Sequence, residues 1–474
     1  YRKGFFDPKT RIRGRGAWLD DGRSVLHLGD SLVVNGVKMA PHLIKSKYTY
    51  QADHSISVPP APAVHPAQAR ELLEILKQFD WEHPRSALLI AGAMVIFPVC
   101  GILHWRPHMW INGGSGSGKS TIQQNIFVRV LGQLALYVSS STTESGIRQE
   151  LGMDARPVVF NEAESEDKNA AQRVQSILEL CRAASDESGS RIIKGSAGHS
   201  SVSFQIRSCF TFFSVNTAVK QYADARRITI LTLRSPDKGL PPPERQVRKD
   251  RYDALIERIE RNLTPEFCSG LLQRTLELLP ILQRNIITFT SAATIVLGDK
   301  AAADQLAPMI AGAHLLHSNK MIDLDAAIKW MNDNDMRETT VLAQAEEDEY
   351  SLLQRLLGHR LRVNTLTGQA DRTVGELIEA AHKKDAEGAV CGVIGTAAYA
   401  ELLRFGVKCD QEKGFWVSNN SIEIKRLLAD TAWHSNWARP LRTLKDAITE
   451  KNPVKFAGGI RARAVWLPIH YVVE

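Results

Sequence analysis

Residues 109–121 of this chain read MWINGGSGSGKST. Within them, residues 113–120 match the phosphate-loop pattern G-x-x-x-x-G-K-[ST] at every defined position. An apolar run precedes the loop as a strand does, and the residues after Ser120 have helical spacing. Glycines let the backbone curl so that successive N–H groups point at phosphate oxygens, and the start of a helix adds its positive end. A chance glycine- and serine-rich linker does not explain this strand–loop–helix context.

The loop predicts a nucleoside triphosphate site, with ATP and Mg²⁺ as the expected cofactors. Lys119 is expected to reach the β- and γ-phosphates, and the Ser120 hydroxyl is expected to hold Mg²⁺. The residues assigned to nucleotide binding are consecutive: Gly113, Gly114, Ser115, Gly116, Ser117, Gly118, Lys119, Ser120 and Thr121.

The composition is typical of a globular protein with about three domains. The 474 residues carry a formal net charge of +7, which suits an anionic partner such as a nucleotide or a nucleic acid. Six cysteines without a C-x-x-C pair argue against a zinc site or a disulfide framework and fit a reducing cytoplasm. The apolar run 87–103 is interpreted as a buried helix rather than a membrane span, because it barely reaches spanning length and contains Pro98.

A second polar motif follows the loop. Residues 156–164 read RPVVFNEAE, a short apolar strand that ends in amide and acidic side chains. At the tip of a central strand, such side chains hold the metal and polarise the attacking water. We predict that Glu162 is the general base and that Asn161 assists Mg²⁺ through water, with Glu164 as a second candidate base. The alternative is an ordinary buried strand capped by surface acids.

Two downstream strands carry further candidates. Asn216 ends the apolar strand 210–215 and is expected to orient the lytic water, unless it only caps the next loop. Arg226 and Arg227 precede another apolar strand, where a ring ATPase places the cation that reaches a neighbour's nucleotide. Arg227 is the preferred candidate, Arg226 is the second and Arg182 is the third.

Residues 190–206 predict two short strands around a glycine- and serine-rich tip. Lys194 and His199 lie near this tip, and a cation among small residues suits contact with a sugar-phosphate backbone. The alternative is a surface hairpin with incidental charges.

The rest of the chain predicts smaller regions on either side of this core. Asn35-Gly36 indicates a hairpin turn in an N-terminal β-rich segment. Arg11, Arg13 and Arg15 form either a phosphate-binding alternation or a solvated strand face. Near the C-terminus, helices with a short β-wing suggest a winged-helix module. The basic side chains that could form one face of this module are Lys425, Arg426, Arg439, Arg442 and Lys445. Its tryptophans either stack on bases or fill the core; they are Trp433, Trp437 and Trp466.

Together, these motifs resemble an AAA+ ATPase of helicase superfamily three. More closely, most of the stretch 67–474 is similar to the C-terminal helicase portion of phage, prophage and mobile-element primase–helicases. The resemblance implies a hexameric ring with nucleotide at the subunit interfaces, pore-lining hairpins and 3′-to-5′ movement along single-stranded nucleic acid. Two features depart from the family pattern. Asn161 stands where the family usually carries an acid, and the hairpin tip lacks aromatic residues.

The expected fold class is therefore α/β, with four regions. These are a β-rich segment with a proline-rich linker (1–66), an AAA+ P-loop core (67–243), a helical lid or collar (244–345) and a winged-helix-like domain (346–474).

The functional hypothesis is an ATP-dependent DNA helicase or translocase that acts in the replication of a phage or mobile element, in the cytoplasm of a bacterial host. Its expected partners are single-stranded or forked DNA, further copies of the chain in a hexamer and a primase domain upstream of Tyr1, with no membrane. One alternative is a ring ATPase that remodels or loads other proteins. Another is a nucleotide-gated origin-binding module without unwinding activity.

Overall fold

The computed structural model describes residues 11–161, 168–185, 192–195, 201–215, 226–235, 241–336, 350–365, 368–382, 389–390, 393–410, 413–429, 431, 433–434, 436–450 and 452–472. The chain divides into two compact units, Tyr1–Val341 and Leu342–Glu474. The phosphate loop belongs to the first unit.

A five-stranded parallel sheet forms the centre of the first unit. In chain order its strands are β1 (His108–Gly113), β2 (Leu136–Val138), β3 (Val158–Phe160), β4 (Phe210–Ser214) and β5 (Ile228–Leu233). Their spatial order is β5-β1-β4-β3-β2. The three inner strands are apolar and almost wholly buried, as expected for parallel strands that are covered on both faces. All five strands end at one edge of the sheet, the carboxyl edge, and begin at the opposite, amino edge.

The segments between these strands follow the sequence-based expectations. Helical turns over 119–131 follow the loop, and the helices Glu144–Leu151 and Lys168–Ser185 lie before and after β3. The strands Ile192–Gly195 and Ser201–Phe204 pair antiparallel between the 168–185 helix and β4. The predicted mixed α/β class is confirmed, and a parallel five-stranded sheet with these helices is compatible with an α/β NTPase-like core.

The apolar segment before β1 is a buried helix. Arg85–Ile96 form an α-helix and Phe97–Ile102 continue it as a 3-10 helix. Arg85–Ile102 are apolar enough to cross a membrane by length and composition, but 94% of this segment is buried inside the protein. Gly92 lies so close to the helix Lys300–His317 that a Cβ atom there would come within 1.8 Å of the Met309 carbonyl oxygen. The prediction of a buried helix is confirmed, and another helix is its main partner.

Several long helices follow β5, where the sequence predicts a helical lid or collar. Their bounds are Pro242–Asn262, Pro265–Glu277, Leu279–Leu297, Lys300–His317 and Leu324–Asp333. Pro280 lies in the first turn of Leu279–Leu297, directly after the end of the helix Pro265–Glu277. A proline is tolerated there because the N–H group that it lacks has no partner within the helix.

The N-terminal segment forms a small antiparallel sheet within the first unit. Its strands are Gly16–Asp20, Arg23–His27, Leu32–Val34 and Val37–Met39. Asn35 and Gly36 have φ values of 49° and 82°, which confirms the predicted hairpin turn.

The alternating arginines of this segment make contacts within the protein. The Arg13 guanidinium lies 3.4 Å from the ring centroid of Tyr48. The Arg15 Nε atom donates to the Asp154 carboxylate at 2.8 Å, and an Arg11 Nη atom donates to the Lys47 carbonyl oxygen at 3.0 Å. Each of these arginines is therefore engaged by neighbouring groups of the fold.

The second unit contains more β-strands than a winged-helix module requires. One sheet has the spatial order Gly368–Thr373, Arg360–Thr365, Val393–Ile394 and Ala389–Val390, and the other has the order Val407–Cys409, Gly414–Ser418, Ala464–Pro468 and Ile448–Thr449. A short hairpin pairs Val454–Lys455 with Arg461–Ala462. The helices are 350–357, Val374–His382, Gly395–Phe405, Ile422–Leu427 and Ala438–Leu441.

Two of the three candidate tryptophans belong to the core of this second unit. Trp437 is buried and its indole N–H donates to the Ser418 carbonyl oxygen at 2.8 Å. Trp433 packs against the same hydrophobic core. Trp466 is half-buried in the strand Ala464–Pro468. For Trp433 and Trp437, the core interpretation therefore holds.

Candidate nucleoside triphosphate site

The phosphate loop connects β1 to a helical segment at the carboxyl edge of the sheet. β1 ends at Gly113, and the helix begins at Lys119. Gly116 and Gly118 have φ values of 75° and 99°, which favour glycine. A Cβ atom on Gly114 would lie 2.1 Å from the Ser235 hydroxyl oxygen, so a side chain at this position would displace that hydroxyl, which accepts a hydrogen bond from the Gly114 N–H group. The loop glycines thus serve both the backbone turn and its close packing.

Lys119 folds back over the loop. Its ammonium group donates to the carbonyl oxygens of Gly113 and Gly114, the latter at 3.1 Å. A flexible lysine held by two carbonyl oxygens of the loop is placed to exchange these acceptors for phosphate oxygens, which are negatively charged and bind an ammonium group more strongly.

The loop opens into a cleft of about 1420 Å³, which we call the loop cleft. Every loop residue from Gly114 to Thr121 lines it, as do Asn161 after β3 and Ser214 and Val215 at the end of β4. Asn161 is anchored by its own N–H group, which donates to the Val138 carbonyl oxygen at 2.9 Å. Clefts at the carboxyl edge of a parallel sheet are the usual ligand sites of α/β folds.

Two oxygen-bearing side chains in the loop cleft suit a magnesium ion. Ser120 is exposed and Asn161 is half-buried, and both line the cleft beside the loop. In nucleotide sites, Mg²⁺ is bound by one or two protein oxygens together with phosphate oxygens and water. The described residues contain no group of three His, Cys, Asp or Glu side chains that would hold a metal without a nucleotide. The donors present therefore fit Mg²⁺ that arrives with a nucleotide.

Several predicted site residues lie outside the described part of the chain. These are Glu162, Glu164, Asn216 and His199. Lys194 lies in the strand Ile192–Gly195, opposite Val202.

The three arginine candidates lie away from the loop cleft of their own chain. Arg226 and Arg227 immediately precede β5, whose first residue is paired with His108 and whose last residue is paired with Gly113. This strand length places both arginines about 17 Å or more from the loop. Arg182 follows Cys181, whose carbonyl oxygen is 2.8 Å from His108 Nε2. All three candidates are therefore brought to the amino edge of the sheet.

His108 is a buried, neutral residue at this amino edge. Its Nδ1 atom accepts a hydrogen bond from the Phe210 N–H group at 3.0 Å, so Nε2 carries the proton and donates to the Cys181 carbonyl oxygen. Burial is the main cause that lowers the pKa of His108 to about 3; the hydrogen bond to the Cys181 carbonyl oxygen opposes this shift, and the nearby charges of Arg106 and Arg227 add to it. This histidine links β1, β4 and the 168–185 helix without carrying charge.

A basic wall of the loop cleft was missed by the sequence analysis. The helix Pro242–Asn262 lines the cleft with four cationic side chains, Arg245, Arg248, Lys249 and Arg251. Tyr252 of the same helix places its hydroxyl 2.8 Å from the Thr121 hydroxyl. The signal was present in the sequence, since residues 244–252 read ERQVRKDRY directly after a proline-rich break. From sequence, this region is predicted only as a helical lid or collar.

The segment before the buried helix forms another wall of the cleft. Lys77, Gln78, Phe79 and Asp80 line it, and a Cβ atom on Gly118 would lie 3.2 Å from the Phe79 ring. The Asp80 carbonyl oxygen accepts a hydrogen bond from the Arg234 N–H group at 2.8 Å, which fixes this segment beside the end of β5.

Comparisons with known proteins find little similarity. No family model matches the sequence. No curated protein matches it. Among solved structures, the A form apo structure of the NrS-1 C-terminal region has a TM-score of 0.34 and 13% identity, over 92% of this chain and 82% of that chain. A second apo structure of that region, with residues 305–718, has a TM-score of 0.33 and 12% identity over 95% of each chain. With TM-scores this low, the interpretation of the site depends on its own geometry.

Proposed function

We propose that this protein binds ATP with Mg²⁺ in the loop cleft and hydrolyses it to move along DNA, as a helicase or translocase of a phage or mobile element. The observation that carries the proposal is the glycine loop at the carboxyl edge, which faces a cleft with cations on the opposite wall. Backbone N–H groups, a lysine and a helix start are the standard means of binding a polyphosphate.

The ligands of the nucleotide follow from the residues that line the cleft. Lys119 would contact the β- and γ-phosphates, and Ser120 and Asn161, which also line the cleft, would hold the Mg²⁺ that accompanies them, Asn161 through water. The arginines of the 242–262 helix add positive charge on the other side of the same phosphates. Mg²⁺, when bound, neutralises charge that develops on the phosphate oxygens.

We assign hydrolysis to two residues that lie just after β3 and β4 in the sequence. Asn161 and Val215 line the cleft; Glu162 is the residue after Asn161, and Asn216 is the residue after Val215. In this proposal, Glu162 accepts a proton from water as the water oxygen attacks the γ-phosphorus, and ADP leaves with the β–γ bridging oxygen. Asn216 orients the attacking water.

The position of the arginines supports a homo-oligomer, with a hexameric ring as the proposed assembly. Because Arg226 and Arg227 lie at the amino edge, they are too far from their own chain's loop to contact its nucleotide. An arginine that acts on ATP from this edge must act on the nucleotide of another copy.

The antiparallel hairpin supports the assignment of nucleic acid as the polymer along which the protein moves. Its second strand ends at Phe204, and only residues 205–209 separate it from β4, whose end lines the loop cleft. β4 and this connection together form the chain path between the loop cleft and the hairpin, and a change at the nucleotide would be transmitted along it. Lys194 is proposed to contact the phosphates of single-stranded DNA, together with His199.

The proposal is tested by measuring ATP hydrolysis with and without single-stranded DNA. The wild-type protein should hydrolyse ATP faster when the oligonucleotide is present. Lys119→Ala should abolish hydrolysis, whereas Lys329→Ala, which removes an exposed lysine from another helix, should not. Stimulation that persists in Lys194→Ala would contradict the hairpin assignment. Hydrolysis that is indifferent to DNA would favour a protein remodeller.

A further inference from the structure

A row of side chains crosses one face of the second sheet of the Leu342–Glu474 unit. Lys408 is paired with Trp416, Trp416 with Trp466, and Trp466 with Ile448, on four adjacent strands. Paired residues share a face of a sheet, so these four side chains form one line, which we call the tryptophan row. The alternate positions of the same strands, including Phe415 and Leu467, face the hydrophobic core.

The Trp466 indole lies against the backbone of the neighbouring strand. A Cβ atom on Gly414 would lie 2.6 Å from Cζ2 and 2.7 Å from Cε2 of the indole. The missing side chain of Gly414 therefore makes room for the ring on the sheet surface. Trp466 is half-buried and Ile448 beside it is 55% exposed. Trp416, on the other side of Trp466 in the row, packs against the hairpin residues Val454, Phe456 and Ala462.

The surroundings of the tryptophan row are basic. Residues 451–468 contain four Lys and Arg residues and no Asp or Glu. Within this stretch, Lys455 and Arg461 are a cross-strand pair exposed on the outer face of the hairpin, because their neighbours Val454 and Ala462 form the face that packs against Trp416. Arg463, which is also exposed, follows Ala462 in the chain. The Lys408 ammonium lies 5.5 Å from the Trp416 ring centroid. The acidic residues nearest in sequence are Asp410 and Glu450, at the ends of neighbouring strands.

We propose that the tryptophan row binds single-stranded nucleic acid, with an unpaired base stacked on Trp466 and the backbone phosphates held by Lys455, Arg461 and Arg463. Sheets bind unpaired bases in this way: an aromatic ring on the sheet surface stacks on the base, and nearby cations hold the backbone phosphates. A duplex does not suit this surface, because its bases are already stacked on each other. The surface lies in the Leu342–Glu474 unit, whereas the residues that line the loop cleft belong to the Tyr1–Val341 unit.

The test measures binding of a fluorescent oligonucleotide to the full chain, without nucleotide, in the Lys119→Ala background. Trp466→Ala should weaken single-strand binding by about tenfold, because one base-to-aromatic stack is lost. Trp466→Phe should retain most of the affinity, and binding of a blunt duplex should be unchanged in both. Ile422→Ala, which alters an exposed apolar residue elsewhere in the same unit, should have no effect.

A second variant keeps the test decisive if Trp466→Ala does not fold. Lys455→Gln combined with Arg461→Gln should reduce the slope of log affinity against log salt by about 1.4 for single strands. The proposal is overturned if the slope is unchanged, if Trp466→Ala binds the oligonucleotide as its parent does, or if duplex binding falls equally. An inactive ATPase would leave these predictions intact, because nucleotide is absent throughout.

Discussion

Arg226 forms an ion pair with Asp299 of the same chain, with 2.5 Å between the guanidinium nitrogen and the carboxylate oxygen. The other oxygen of Asp299 accepts a hydrogen bond from the Ala301 N–H group and caps the helix Lys300–His317. One carboxylate therefore joins the start of β5 to a buried helix. Arg226 is fixed within its own chain by this pair, and Arg227 is the next residue towards β5.

Asp299→Ala should lower the free energy of unfolding by about 1–2 kcal/mol, mainly through loss of the helix cap. The ion pair adds little to this, because Arg226 is one-third exposed. The measurement is denaturant unfolding followed by circular dichroism. Asp325→Ala, which removes an exposed carboxylate from the first turn of another helix, is the control. Equal stability of the two variants would argue against this role of Asp299.

Arg227→Ala should bind ATP normally and hydrolyse it very slowly, because the lost guanidinium acts on a neighbour's nucleotide. Mixing it with Lys119→Ala protein should restore part of the activity. In such mixtures, some interfaces combine an intact loop from one copy with an intact arginine from another. Hydrolysis rates of each variant alone and of their mixtures provide the measurement. A mixture no more active than its components would contradict action between copies.

Arg248→Gln combined with Arg251→Gln should weaken ATP binding by about tenfold or more, because two cations that line the loop cleft are lost. Titration calorimetry with ATP and Mg²⁺ measures the effect. Arg261→Gln is the matched control, since this arginine belongs to the same helix but not to the cleft lining. If the double variant bound ATP as tightly as the control, the 242–262 helix would not contribute to phosphate binding.

Stability should decrease as the pH falls from 7 to 5, in part because of His108. Its pKa is about 3 in the folded protein and 6.5 in the unfolded reference, so only the unfolded chain takes up a proton in this range. Its contribution is complete above pH 6.5 and is lost progressively towards pH 3, by about 2 kcal/mol between pH 7 and 5.

Urea unfolding at several pH values measures this dependence. His108→Gln should be less stable at pH 7 and should show a shallower decline towards pH 5. His42→Gln, at an exposed position, should retain the wild-type slope. A slope unaffected by His108→Gln would show that this histidine does not titrate as its burial implies.

The features that the sequence predicted well are those encoded by local pattern. The loop, its flanking strand and helix, and the Asn35-Gly36 turn each depend on backbone preferences that neighbouring residues determine. The basic wall of the loop cleft was missed because its residues meet the loop only in the folded chain. Trp416 was not identified from the sequence for the same reason, because the tryptophan row forms only when strands that are distant in sequence pair with one another. The contacts of Arg13 and Arg15 likewise join segments far apart in the chain.

Unwinding of a forked DNA duplex tests most directly whether ATP hydrolysis in the loop cleft drives movement along DNA. The wild-type protein should separate the strands only with ATP and Mg²⁺. Lys119→Ala should fail to bind ATP productively, and Glu162→Gln should bind ATP but leave the duplex intact. Strand separation by either variant at the wild-type rate, or none by a wild-type protein that hydrolyses ATP on the same DNA, would contradict the account.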